Sequence, residues 1–188
     1  GTSLEYRMEV HKAEGKDKEL LTDAFGYFNE RDIETLHKAD KMFPDNSVYE
    51  REIVLDRGSY VTQGFIDINF DRDKKANVID AKTGGKNSKA KGTDFYASDK
   101  YGQTRLYMRA LVEEGEEPGY CGVVFLDRTY EGDFENPILH LSGDIIKVET
   151  PYTEEKVEVL LKDMDKVAGE ISALKSTYDK LSTLTMKF

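Results

Sequence analysis

A run of three β-strands joined by short polar turns is the feature that most constrains the fold. The strands are predicted over Val48–Leu55, Tyr60–Phe70 and Asn77–Lys82, with turns at 56–58 and 71–75. Connections this short join neighbouring antiparallel strands, so the segment predicts a three-strand antiparallel meander.

Two acids and a lysine lie on neighbouring strands of this meander. Asp80 and Lys82 project from the same side of the third strand, because strand side chains alternate between faces. The neighbouring antiparallel strand can bring Asp67 beside them. The strand that carries Asp67 is strongly apolar, and a buried carboxylate is costly unless a metal or a cation meets it. Two carboxylates and an ammonium group are the parts that metal-dependent phosphodiester hydrolysis needs, with Mg²⁺ or Mn²⁺ as the ion.

The remaining pattern adds helices before the meander and further strands and helices after it. The predicted elements are helices at Leu4–Ala13, Lys18–Phe43 and Asp94–Glu114, strands at Tyr120–Leu126 and Ile138–Val148, and a long helix after Pro151 with Thr153 as its cap. This order predicts an α/β sandwich with a mixed sheet. We expect one domain over residues 1–188, with a helical part (1–47), a catalytic core (48–126) and a C-terminal strand and helix (127–188).

Composition limits the cofactors and the location. Cys121 is the only cysteine, which excludes a disulfide, a thiolate zinc site or a four-cysteine iron–sulfur cluster within the chain. No run of eighteen apolar residues occurs, and no charged-then-apolar leader opens the chain, so we expect a cytoplasmic protein without a membrane partner.

The formal net charge of −10 is unusual for a protein that binds nucleic acid. The stretch from Lys82 to Arg109, however, contains seven cations and two anions, a local charge of +5. This strip would focus a polyanion onto one face, or else it is a solvated lysine-rich loop. Its candidate phosphate contacts are Lys86, Lys89, Lys91, Lys100 and Arg105.

Three motifs in order resemble a known family. They are Gly64-x-x-Asp67, Asp80-x-Lys82-Thr83-Gly84 and Gln103-x-x-x-Tyr107, the last with i,i+4 spacing on one helix face. Together they resemble the RecB-type branch of the PD-(D/E)XK nucleases, which includes CRISPR adaptation nucleases and mitochondrial genome-maintenance exonucleases. The resemblance implies a restriction-endonuclease-like sandwich whose mixed sheet is built on the antiparallel meander.

The resemblance also implies roles for individual residues. Asp67 and Asp80 would bind Mg²⁺ or Mn²⁺, with the Ala81 carbonyl as a third ligand, and Lys82 would position the attacking water. Two polar residues on the next helix would steady the lysine or the DNA strand: Gln103 and Tyr107.

Members of the family often carry a further acid and a histidine ligand. The acid about twelve residues before the glycine is Glu52, although Glu50 lies on the same strand face. The histidine would be His11 on the earlier helix or His37 close to the first strand, or neither of them.

The last helix carries an unbroken heptad stripe. Its members are Val157, Leu160, Met164, Val167, Ile171, Leu174, Tyr178 and Leu181. The stripe predicts packing against the protein's own sheet or early helices, or pairing with another copy or another subunit.

These observations predict a DNA nuclease, with exonuclease action on ends or single strands, in recombination, repair, or phage or CRISPR DNA processing. The expected setting is the nucleoid of a bacterial or phage-infected cell. Two rivals stand beside this interpretation. One is a non-catalytic DNA-binding subunit or acidic DNA mimic on the same fold, and the other is an RNA endonuclease of the superfamily.

Overall fold

The computed structural model describes residues 30–85, 101–131 and 138–185. Its elements, in chain order, are α1 (Glu30–Asp40), β1 (Val48–Asp56), β2 (Val61–Arg72), β3 (Lys75–Gly85), α2 (Gln103–Glu113), β4 (Pro118–Glu131), β5 (Ile138–Pro151) and α3 (Glu154–Thr185).

The five strands form one mixed sheet in the order β1-β2-β3-β4-β5. Only the β3–β4 pair is parallel; β1–β2, β2–β3 and β4–β5 are antiparallel. Parallel neighbours need a crossover, and the chain between β3 and β4 contains α2. The predicted α/β fold, with a mixed sheet built on an antiparallel meander and flanked by helices, is confirmed.

Two hydrophobic clusters cover the sheet, one for each helical layer. The first packs α1 residues such as Leu36 against Ile79 and its neighbours on β2 to β5. The second packs α2 and the start of α3 against the other face, through residues that include Met108 and Leu161. The two faces are therefore distinct environments, and the side on which a strand residue projects decides which helix it meets. In the described residues, no helix is long and apolar enough to cross a membrane.

Side-chain alternation changes phase in the middle of the first hairpin. Ile66 belongs to the cluster beneath α2, whereas Ile68, two residues later, belongs to the cluster beneath α1. The change falls at Asp67, where the ladder passes from Tyr49↔Ile68 to Arg51↔Ile66 and skips Glu50, whose φ of 53° is rare for a residue with a side chain. The hairpin is therefore twisted at the level of the candidate acid.

Several predicted boundaries move. The third strand is predicted to end at Lys82, but Gly84 and Gly85 continue β3 because they pair with Asp127 and Arg128 of β4. The helix expected from Asp94 begins only at Gln103 in the described chain, with Gly102 as its N-cap. The helix at 4–13, the part of the next one before Glu30, and residues 94–100 lie outside the described residues.

The long helix α3 is only partly covered. Val157 and Leu161 near its start are buried in the core. Further along, the heptad residues of the described helix are exposed, from 52% at Val167 to 71% at Tyr178. The described part of the sheet therefore covers the first turns of the stripe and leaves the later turns uncovered.

Candidate active site

Asp80 and Lys82 lie on the α2 side of β3, as strand alternation predicts. The Lys82 Nζ atom is 2.7 Å from Asp80 Oδ2. Asp80 is 2% exposed, whereas a third of the Lys82 side chain is accessible. The Asp80 carboxylate is therefore buried, whereas the Lys82 side chain is partly accessible to solvent.

Asp67 reaches this pair because β2 and β3 stop pairing beside it. The ladder between the strands runs to Ile68↔Ile79 and goes no further, although β3 continues to pair with β4. In place of the next rung, the backbone N–H of Ala81 donates to Asp67 Oδ2 at 2.6 Å. The Asp67 side chain therefore fills the backbone gap, and its carboxylate faces that of Asp80.

Burial and the two hydrogen-bond donors shift the pKa of Asp80 in opposite directions. Burial raises the pKa of this carboxyl group, Asp67 raises it further by repulsion, and the hydrogen bonds from Lys82 and Tyr101 lower it. The net pKa lies above the usual range of an aspartate because desolvation is the largest effect. A cation beside the two carboxylates would relieve both unfavourable contributions.

A chain of hydrogen bonds ties Asp80 to the start of α2. The Tyr101 hydroxyl donates to Asp80 Oδ2 at 2.8 Å and lies 3.1 Å from Gln103 Oε1, and Gln103 Nε2 donates to the Tyr107 hydroxyl at 2.8 Å. The Tyr107 ring lies against Gly64 of β2. The i,i+4 pair thus connects to Asp80 through Tyr101. Tyr101 was not predicted, since nothing in its sequence neighbourhood marks it apart from its place before the helix.

Comparison with known proteins gives a family. The sequence model of the PD-(D/E)XK nuclease superfamily matches residues 6–180. The chain belongs to this superfamily. Membership indicates metal-dependent nuclease activity, that is, hydrolysis of phosphodiester bonds in nucleic acid. A search of the curated proteins found no significant match.

One solved structure, described as "Crystal structure of SSO0001", is similar at 14% identity. The similarity covers 87% of this chain and 84% of that one, with a TM-score of 0.33. A likeness of this size supports no argument about the site.

The donor set fits the divalent ion that PD-(D/E)XK nucleases generally use. Asp80 Oδ2 and Asp67 Oδ2 each hold a protein hydrogen bond, and the described residues offer no hydrogen bond to either Oδ1. Two oriented carboxylate oxygens suit Mg²⁺ or Mn²⁺. No third His, Cys, Asp or Glu within the described ranges joins them, so these two acids are the side-chain donors found there.

Two expected members of the site lie elsewhere. Glu52 accepts a hydrogen bond from Gln63 on the exposed face of the hairpin, whereas its neighbour Ile53 faces α2. The phase change at Glu50 explains this, because it places Glu52 on the face opposite α2. His37 is exposed on α1, which covers the other face of the sheet, so it does not approach the acids. His11 lies outside the described residues.

Arg105 is a correction to the predicted basic strip. It is 3% exposed, and its Nη1 donates to the Tyr101 carbonyl at 3.2 Å. The expectation of an exposed phosphate contact is wrong here, because Arg105 lies on the buried side of α2 with Met108, one turn later. The other strip residues, Lys86, Lys89, Lys91 and Lys100, lie outside the described residues.

Proposed function

We propose that the chain is a Mg²⁺- or Mn²⁺-dependent DNA exonuclease of the RecB-type branch. The observation that carries the proposal is the meeting of Asp67, Asp80 and Lys82 where β2 and β3 part, with the Gln103–Tyr107 pair beside them. Its substrates would be DNA ends or single strands. Its setting would be recombination, repair, or phage or CRISPR DNA processing at the nucleoid.

The chain's own residues have separate tasks in this mechanism. Asp67 and Asp80 would hold the ion, with the Ala81 carbonyl as a further ligand. When bound, such an ion would supply an activated water and neutralise charge that develops on the phosphate. Lys82 orients the attacking water or the scissile phosphate, since its ammonium group lies at the accessible edge of the site. Hydrolysis is in-line and forms no covalent intermediate.

Gln103 and Tyr107 would be positioning residues. Their hydrogen bond fixes the Tyr107 ring over Gly64, and Gln103 connects that ring to Tyr101. The pair would steady the DNA strand or the lysine near the scissile bond. Lys86, Lys89, Lys91 and Lys100 would supply phosphate contacts.

The test is cleavage of 5′- and 3′-labelled single-stranded DNA, double-stranded DNA and RNA with Mg²⁺, Mn²⁺ or EDTA. Asp80→Asn and Lys82→Ala should each lower the rate by about 10²–10³ or more, because such electrostatic groups act in the transition state. Asp165→Asn is the matched control, since that carboxylate binds Arg57 on the far turn of the hairpin. Near-normal activity in either site variant would refute this active site.

The same assay separates the rival functions. Binding without cleavage under any ion condition would favour a non-catalytic DNA-binding protein. Preference for RNA would favour an RNA endonuclease of the superfamily. Release of internal fragments from a circular substrate would replace exonuclease action with endonuclease action.

The exposed turns of α3 would bind another copy or a partner subunit. The supporting observation is the exposure of Ile171, Leu174 and Tyr178 at heptad spacing. Sedimentation velocity should show an oligomer that Leu174→Glu dissociates. A wild-type protein that remains monomeric at high concentration would leave only a different partner subunit.

A further inference from the structure

Tyr101, which was not among the predicted site residues, donates a hydrogen bond to Asp80. Asp80 receives two hydrogen-bond donors, and both meet the same oxygen, Oδ2: the Lys82 ammonium at 2.7 Å and the Tyr101 hydroxyl at 2.8 Å. No described residue donates to Oδ1. The plane of the carboxylate is thus fixed from one side, and the other oxygen is left for a cation.

The two donors differ in their charge and in their other contacts. Lys82 is partly exposed and carries the charge that a phosphate would attract. Tyr101 is held at both ends, because the guanidinium of the buried Arg105 donates to its carbonyl and Gln103 lies beside its hydroxyl. The next residue, Gly102, packs closely against the side chain of Leu160 on α3. The hydrogen bond from the phenol to Asp80 therefore does not depend on the position of the Lys82 ammonium group.

We infer that Tyr101 is a positioning residue that orients Asp80 for metal binding and keeps it oriented when Lys82 engages the scissile phosphate. The inference rests on the proposed function, since it takes Asp80 as a metal ligand. It also gives the buried Arg105 a structural task, because that guanidinium anchors the tyrosine backbone instead of binding DNA.

The experiment is calorimetric titration of Mn²⁺ into the DNA-free protein, with Tyr101→Phe as the variant. Loss of a hydrogen-bond partner of a metal ligand typically weakens metal affinity about 10- to 100-fold, and we expect a loss in this range. The DNA dissociation constant in EDTA should stay unchanged, which a general structural defect would not allow. Tyr60→Phe is the matched control, since it removes a hydroxyl that donates to Asp165 at 2.9 Å, away from the site.

The outcomes separate this inference from the proposed function. Mn²⁺ affinity within twofold of wild type in Tyr101→Phe would overturn the inference, provided that Asp80→Asn loses Mn²⁺ binding in the same titration. Unchanged binding in Asp80→Asn would overturn the proposed metal site itself, and the inference with it. If Tyr101→Phe melts well below wild type without metal, Tyr101→His, which retains an N–H donor, takes its place. Partial recovery of Mn²⁺ affinity by that variant relative to Tyr101→Leu supports the role, and equal affinity in the two refutes it.

Discussion

Gly64→Ala tests whether the packing of Tyr107 sets the rate. A Cβ at position 64 would lie 2.9 Å from Tyr107 Cε1 and 3.2 Å from its hydroxyl oxygen. Carbon atoms in ordinary contact are about 3.5–4.0 Å apart, so the ring must retreat by roughly 0.6–1 Å. The Gln103–Tyr107 hydrogen bond of 2.8 Å would then stretch beyond the normal range.

The expected cost follows from these distances. Overpacking of this kind destabilises a folded protein by about 1–3 kcal/mol, and a positional error of about 1 Å costs up to ~10²-fold in rate. We therefore expect Gly64→Ala to melt at a lower temperature and to cleave labelled DNA 10- to 100-fold more slowly by these estimates, at saturating Mn²⁺ under single-turnover conditions.

The control is the same chemical change where space is open. At Gly169 of α3 no described atom apart from its chain neighbours and the helix's own backbone lies within 4 Å of the added Cβ, and alanine in a helix gains up to about 1 kcal/mol over glycine. Gly169→Ala should keep the wild-type rate. Unchanged rate and melting temperature in Gly64→Ala would refute the packing argument. Loss of Mn²⁺ binding in that variant would also refute it, because the glycine would then serve the metal rather than the tyrosine.

Three further measurements address charge. Mn²⁺ at a hundred times its dissociation constant should stabilise the folded protein by about 2.7 kcal/mol and so raise its melting temperature. The rise should vanish in Asp67→Asn. A rise that survives in both Asp67→Asn and Asp80→Asn would mean that ions bind elsewhere on the acidic surface. Replacing Lys86, Lys89 and Lys91 with Gln should reduce the salt slope of DNA binding by roughly 0.7–0.9 per lost contact, and an unchanged slope would mean that these lysines do not contact phosphate. Burial raises the pKa of Asp80, so the folded, metal-free protein holds this proton more tightly than the unfolded chain does. The stability of wild type relative to Asp80→Asn should therefore fall as pH rises above the unfolded pKa of about 3.9, and chelator-treated melts that give a constant difference would contradict this.

Strand alternation was sufficient to predict that Asp80 and Lys82 share a face of β3 in the candidate site. Because alternation is a property of the backbone, Asp80 and Lys82 had to share a face, and a short turn had to bring the strand of Asp67 alongside. The prediction for Glu52 was wrong because alternation changes phase at Glu50, whose positive φ cannot be inferred from residue type.

Contacts that depend on how the chain returns to the sheet were not predictable in the same way. Tyr101 meets Asp80 across 21 positions of sequence, and no periodicity joins them. Arg105 was counted by its place in a basic stretch, whereas its exposure depends on which side of α2 faces the sheet. That side carries Met108 and Leu111, so a guanidinium one turn before Met108 is enclosed with them. The charge of a sequence segment therefore does not give the charge of a surface.

The end of the β2–β3 ladder explains why the candidate metal ligands lower the stability of the fold. Ending the ladder at Ile68↔Ile79 leaves the Ala81 N–H without a strand partner, and a buried N–H in that condition is costly. The Asp67 carboxylate satisfies it, but this brings a second negative charge toward Asp80 and adds to the rise in pKa that burial causes there. Lys82 and Tyr101 offset part of the cost, yet both act on one oxygen of Asp80. The two carboxylates therefore remain only partly compensated, and a divalent ion bound between them would stabilise the pair.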